Sequence, residues 1–212
     1  MKMKLKKPQI IQQGAEAIII KEGNYVIKDR IKKSYRIQEI DEKLRKTRTK
    51  REINLLEKAS KIINSPKPLP DKNKFEIKMP YIKGKKLSEH LDKLPKELAK
   101  ETCKKIGQSI AKLHDNNIIH GDLTTSNIIL TVENKKSEVW FIDFGLGFNS
   151  MREEDKAVDL HLIKQALEAK HFSNWENYWK FIESGYKFYK NSDKVLDKLK
   201  KVESRGRYKE KY

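Results

Sequence analysis

An α+β fold of two lobes is predicted: a small β-rich lobe carrying one long helix, then a reduced helical lobe. Three observations predict it. Short apolar runs broken by turn residues fill the first 31 positions. A helical period without Gly or Pro follows over 38–63. After a second hairpin spanning 127–142, every segment has helical spacing. At 212 residues the chain has room for two small lobes around modest cores.

In the first lobe, Ile10-Ile11, Ala17 to Ile20 and Tyr25 to Ile27 read as strands. Gly14 breaks the first pair, and the turn Glu22-Gly23-Asn24 joins the second into a hairpin. Ile40, Leu44, Ile53, Leu56 and Ile63 predict the apolar stripe of the long helix, which Ser65-Pro66-Lys67-Pro68-Leu69-Pro70 terminates. Phe75, Ile77 and Met79 alternate as a strand, and Pro80 to Gly84 reads as the linker. The first lobe is therefore placed at 1–80 and the second at 81–204, with a basic tail at 205–212. In the second lobe, Ala99, Cys103, Ile106, Ile110 and Leu113 share one face of a helix over 96–116. Asn127 to Val132 and Glu138 to Ile142 form a hairpin about Glu133-Asn134-Lys135-Lys136. Val158, Leu162, Ile163, Ala166 and Leu167 form one later stripe. Trp175, Tyr178, Trp179, Ile182, Tyr186 and Tyr189 form an aromatic one, read as core.

Composition narrows the function. Leu, Ile, Val and Phe make up about a quarter of the chain, lean for a globular protein but above the disordered class. A single cysteine, Cys103, excludes a disulfide scaffold or a cysteine-based zinc cluster. No apolar run approaches a membrane span, and the start MKMKLKKPQ lacks a signal-peptide core, so a soluble, cytoplasmic protein without membrane attachment is expected. The net charge of +18 points to a polyanionic partner, because lysines that merely solvate helices are usually balanced by acids. The Gly-broken, aromatic tail Arg205 to Tyr212 suits phosphate and base contact.

The chemistry concentrates in His120-Gly121-Asp122-Leu123-Thr124-Thr125-Ser126-Asn127 and Ile142-Asp143-Phe144-Gly145. Asp122 and Asn127 lie on a loop between a helix and a hairpin, and Asp143 ends the hairpin's second strand beside Asn127. Two carboxylates and an amide oxygen make an all-oxygen set of the kind Mg²⁺ prefers, with substrate phosphates completing its shell.

These two motifs, in this order and with a hairpin between them, resemble the protein-kinase superfamily, whose pattern is H-R-D, four further residues and Asn, then D-F-G. The resemblance implies a minimal bilobal protein-kinase-like fold. It assigns Lys28 as the cation on the α- and β-phosphates of ATP and Glu52 as its ion-pair partner. It places the phosphate loop at Gln13, Gly14, Ala15 and Glu16, and the adenine border at Met79, Tyr81 and Ile82. Two departures follow. Gly121 replaces the arginine of H-R-D, and only 15 residues separate Asp143 from Asp159, too few for a usual peptide-docking platform. Asp159 is expected to brace the catalytic loop.

The runs Gln13-Gly14-Ala15-Glu16-Ala17, Lys33-Ser34-Tyr35-Arg36, Ile40-Asp41, Arg48-Thr49, the Leu123-Thr124-Thr125-Ser126-Asn127 loop and Arg205-Gly206-Arg207 narrow the match. Together they resemble the small atypical kinases of the KEOPS (EKC) complex, relatives of the RIO kinases. That resemblance implies a serine/threonine kinase and ATPase using ATP and Mg²⁺. It implies a place beside a threonylcarbamoyl-transferase subunit and a small regulatory subunit, in the machinery that makes threonylcarbamoyladenosine in tRNA. It implies tRNA contact through Arg205, Arg207 and Lys209. In the expected mechanism Asn127 and Asp143 hold the metal, Lys28 and Glu52 act on the phosphates, and Asp122 orients the attacking oxygen. Competing readings are a small-molecule kinase of the aminoglycoside or choline type, a kinase-shaped RNA-binding scaffold without catalysis, and an ordinary protein kinase.

Overall fold

A computed structural model describes residues 8–133 and 136–207 of the chain. Strands β1 (Gln9–Gln13), β2 (Ala17–Glu22), β3 (Tyr25–Arg30) and, later, β4 (Glu76–Pro80) form one antiparallel sheet in that order. The register between β2 and β3 sets Ile19 opposite Lys28 and Ala17 opposite Arg30. Helix α1 (Gln38–Ala59) crosses behind the sheet.

The start of α1 is fixed by charge rather than by a capping side chain. Asp41, fully buried, accepts from Arg45 Nε at 2.7 Å and from the Lys33 N–H at 3.3 Å, with Arg36 at 3.6 Å. Burial pushes the Asp41 carboxyl up, but the Arg45 hydrogen bond and these neighbours pull it below its ordinary range. Arg45 also stacks on Phe75, 4.0 Å from the ring centre. The predicted stripe of α1 is thereby corrected. Ile40 and Leu44 are exposed, and the helix buries Leu55, Leu56 and Ala59 in its last turns. The N-terminal half is held by ion pairs, so it needs no apolar stripe there.

The second lobe begins with the short strand β5 (Lys85–Lys86) and helix α2 (Leu87–His90), neither expected from sequence. Helix α3 (Lys96–Asp115) follows, then β6 (Ile118–Ile119), the hairpin β7 (Ile128–Glu133) and β8 (Lys136–Phe141), and β9 (Phe148–Asn149). Helices α4 (Glu153–Lys170), α5 (Trp175–Tyr186) and α6 (Ser192–Arg207) complete it. The aromatic stripe is core, with Tyr178, Trp179, Ile182, Tyr186 and Tyr189 buried. On α4, Ala157, Leu160, Ile163 and Leu167 face inward, and the expected stripe member Val158 is 40% exposed. Asp159 takes an inward position next to it, because the adjoining loop needs its carboxylate. The tail is not broken at Gly206, since α6 continues through it to Arg207.

Candidate functional site

Strand β3, helix α1 and the turn at Asp143 come together where the two lobes meet. On β3, side chains alternate, so Val26, Lys28 and Arg30 share the buried face. Glu52, on the inner side of α1, is 1% exposed. Lys28 Nζ donates to Glu52 Oε1 at 2.7 Å and to Asp143 Oδ1 at 2.7 Å. The predicted pair is thus formed, and the cleft's second carboxylate shares the same ammonium. Burial raises the Asp143 carboxyl, but the Lys28 charge and hydrogen bond outweigh it and hold the group below the usual carboxylate range.

Asp143 has φ of 64°, a region that costs a non-glycine residue energy. The Gly145 N–H donates to Asp143 Oδ1 at 3.1 Å and supports that turn. The Asp143 side chain remains 44% exposed. Asn127 is tied to the same region because the Ile142 N–H donates to the Asn127 carbonyl at 3.0 Å. The Asn127 side-chain amide donates to the Asp122 carbonyl at 2.9 Å and to Asp122 Oδ2 at 2.8 Å. This orientation fixes Asp122 and turns the Asn127 amide oxygen away from it. With the Asn127 nitrogen so engaged, the donors these two residues have left are the Asn127 amide oxygen and the Asp143 carboxylate, a set of the kind a hard divalent cation takes.

The loop over 120–127 is braced from behind. Asp159 accepts from the His120 N–H at 2.8 Å and the Gly121 N–H at 2.9 Å, as expected from sequence. Burial opposes its ionisation; the hydrogen bond from His114 and the loop N–H groups more than offset that, and the carboxyl lies low. Burial holds His114 below its ordinary value as well, so the backbone donors are the constant support of the Asp159 charge. His120 Nε2 lies 3.1 Å from the Ile142 carbonyl, linking the two motifs. Gly121 has φ of 78°, and a Cβ there would collide with the Leu146 carbonyl and lie 3.2 Å from the Gly147 N–H. That close approach, with β6 paired to β9, seats the short segment after Asp143 directly on the loop.

Sequence reasoning missed three features. Arg30 Nη2 donates to Glu52 Oε2 at 2.5 Å; the alternation of β3 carried that signal. His171, buried, bridges Asp92 (2.5 Å) and the loop residue Thr125 (3.3 Å), a contact across 46 positions of chain. Lys33 Nζ donates to the Ala15 carbonyl, and Arg48 pairs with Glu16 at 2.5 Å, so the turn at Gln13–Glu16 is tethered to α1 and to the segment before it.

Around that turn, Gly14 N–H donates to the Ala17 carbonyl at 2.9 Å. Met79 is 8% exposed and faces Val26 across the sheet. At the linker the Tyr81 N–H is committed to the Asn24 carbonyl (2.8 Å), and the Ile82 carbonyl accepts from Gly84 (3.1 Å). The polar edge left there is the Ile82 N–H and the Tyr81 carbonyl. In the tail, Arg205 is exposed and pairs with Glu154 at 2.6 Å. The Arg207 side chain and Lys209 lie outside the described residues.

Residues 16–166 match the protein kinase domain family. The chain is 42% identical to the KEOPS complex subunit Bud32 of Pyrococcus abyssi, over 95% of this chain and 97% of that protein. It is 38% identical to the EKC/KEOPS complex subunit BUD32 of Enterocytozoon bieneusi, over 95% and 99% respectively. A probable bifunctional tRNA threonylcarbamoyladenosine biosynthesis protein of Methanobrevibacter smithii is 43% identical, and this chain spans 38% of its length. In structure the chain is similar to the Rio2 kinase of Chaetomium thermophilum in its ADP/Mg²⁺-phosphoaspartate complex. The TM-score is 0.62 at 15% identity, covering 97% of this chain and 71% of that one, a likeness of fold.

Proposed function

Because the chain belongs to the Bud32 branch of the protein kinase family, we propose that it is an atypical serine/threonine kinase and ATPase acting within a KEOPS complex. In this reading it supports formation of threonylcarbamoyladenosine in tRNA, beside a threonylcarbamoyl-transferase subunit and a small regulatory subunit, in the cytoplasm. Its likeness to a KEOPS complex subunit and to a tRNA threonylcarbamoyladenosine biosynthesis protein supports the complex and tRNA assignments. Among the described residues no helix is long and apolar enough to cross a membrane.

The observation that carries the chemistry is the cluster of Lys28, Glu52 and Asp143 joined by 2.7 Å contacts, with Asp122 oriented by Asn127 at 2.8 Å. Asn127 and Asp143 would hold Mg²⁺, which when bound neutralises charge on the nucleotide phosphates. Lys28, kept in place by Glu52, would draw charge from the α- and β-phosphates. The turn at Gln13, Gly14, Ala15 and Glu16 would cover the phosphates with backbone N–H groups. Met79 would wall the adenine, and the Tyr81 carbonyl and Ile82 N–H would read its edge. Asp122 would orient the attacking hydroxyl or water and accept its proton. With so short a segment after Asp143, water is a natural acceptor, and positioning with charge neutralisation supplies most of the catalysis. The basic tail, through Arg205, Arg207 and Lys209, would contact tRNA phosphates; Arg205 would first have to leave Glu154.

The test is Mg·ATP turnover by the full chain and two variants. Asp143→Ala is expected to abolish turnover. Asp122→Ala is expected to lower kcat by at least about a hundredfold while nucleotide affinity changes little. Wild-type turnover by Asp143→Ala would overturn the assignment.

A further inference from the structure

Glu52 meets two cations. Lys28 Nζ lies 2.7 Å from Oε1, and Arg30 Nη2 lies 2.5 Å from Oε2. The chemistry set out above uses Lys28 and leaves Arg30 without a role. Yet Arg30 is only 4% exposed, and its Nε has no hydrogen-bond partner among the described residues. Burying a guanidinium with an idle donor is unfavourable, and an apolar side chain of similar volume would serve packing better. The charge itself must be what this position requires.

The arrangement of charges supplies the reason. Lys28 bridges two carboxylates, Glu52 and Asp143, at equal distances. Without another cation that cluster would hold one positive and two negative groups in a mostly buried place. Arg30 balances it. Its guanidinium is also close to the turn after Asp143, since a Cβ on Gly145 would lie 3.3 Å from Lys28 Nζ and 3.5 Å from Arg30 Nη2. For Asp143 to turn towards a metal, Lys28 must release it and stay on Glu52. A Glu52 whose second oxygen was unpartnered would instead rotate to satisfy both oxygens on Lys28, or draw α1 out of place.

We infer that Arg30 is a positioning residue of the nucleotide site. It clamps Glu52 Oε2 so that Oε1 stays presented to Lys28 when Asp143 leaves for the nucleotide-bound cation. The inference deepens the kinase reading and rests on it. Lys28 and Arg30 stand two apart on one face of β3 and grip the two oxygens of a single carboxylate. Arg30 acts through Glu52 and touches neither phosphate nor metal.

The experiment uses the full chain with Arg30→Met, Arg30→Lys, Glu52→Gln and the double variant Arg30→Met/Glu52→Gln. Mg·ATP affinity by calorimetry, KM and kcat for hydrolysis, and thermal midpoint are measured together. Arg30→Met is expected to raise Kd and KM on the order of tenfold with kcat within about threefold. Arg30→Lys should recover most of that loss. On the Glu52→Gln background, Arg30→Met should add less than about twofold, because the residues act as one unit. Unchanged Kd and KM in Arg30→Met, or the same tenfold loss on both backgrounds, would overturn the inference. Should Arg30→Met unfold, Arg30→Gln replaces it in both backgrounds with the same expectations. A wild-type chain that binds Mg·ATP but does not hydrolyse it overturns only the ATPase reading, and affinity then decides Arg30. A wild-type chain that does not bind Mg·ATP overturns both.

Discussion

Gly121 stands where the wider kinase pattern has arginine, and its backbone explains the exchange. With φ of 78° and the Leu146 carbonyl packed against it, the position accepts only a hydrogen as side chain. Gly121→Ala is expected to destabilise the chain by about 1–3 kcal/mol, from strain plus displacement of the following segment. The thermal midpoint should then fall by several degrees, and amide exchange at Phe148 and Asn149 should quicken as β9 loosens from β6. An unchanged midpoint and exchange rate would show that the segment does not depend on this approach. The contacts that join Lys28 to Glu52 and Asn127 to Asp122 were legible from the sequence, because the resemblance to the kinase pattern pairs those positions. Arg30 was not. A second cation two residues on looks like any other in a chain with 48 Lys and Arg, until the strand turns it inward.

At the scale of elements, α3 and α5 pack backbone against backbone, and two glycines permit it. A Cβ on Gly107 would strike the Ile182 carbonyl and lie 2.7 Å from the Tyr186 N–H. One on Gly185 would strike the Lys104 carbonyl and lie 3.1 Å from the Gln108 N–H. Gly to Ala in a helix normally stabilises by about 0.5–1 kcal/mol. Here backbone lies in the way, so each substitution is expected to cost a net of about 1–3 kcal/mol through overpacking. Because both act on one contact, the double variant should lose less than the sum, which denaturant titration of the four proteins would check. Helical periods gave α3 and α5 their places in advance, and two apolar runs about a polar turn gave the hairpin. The same reasoning failed on α1 and on Val158, where paired charges rather than apolar burial decide which face turns inward. The two-residue strands β5, β6 and β9 carry too few side chains for any period to reveal them.

At the scale of the whole molecule, buried ionisable groups set the response to acid. His114 lies below its ordinary value of 6.5, held there first by burial, so it contributes stability above that pH that is lost as protons are offered. Asp41 and Asp159 are buried and lie below their ordinary value of 3.8, despite the opposing effect of burial. Their contribution is fully present above 3.8 and disappears as pH falls through the folded values beneath it. The thermal midpoint at fixed ionic strength is therefore expected to decline gently below about pH 6.5 and steeply below about pH 4. Growing self-repulsion from the net charge of +18 acts in the same direction. Asp159→Asn should flatten the steep part; a variant profile parallel to wild type would contradict the assignment.

The backbone pairing of Ile118 and Ile119 with Asn149 and Phe148 has a consequence for control. Many kinases are switched by a chemical mark that stiffens a loose loop. Here the loop is already stitched in place, and its one hydroxyl between Asp143 and Asp155, on Ser150, donates to the Asp155 carboxylate at 2.6 Å, a neighbour that would repel an added phosphate. A phosphate added on that stretch is therefore expected to loosen the segment rather than to order it.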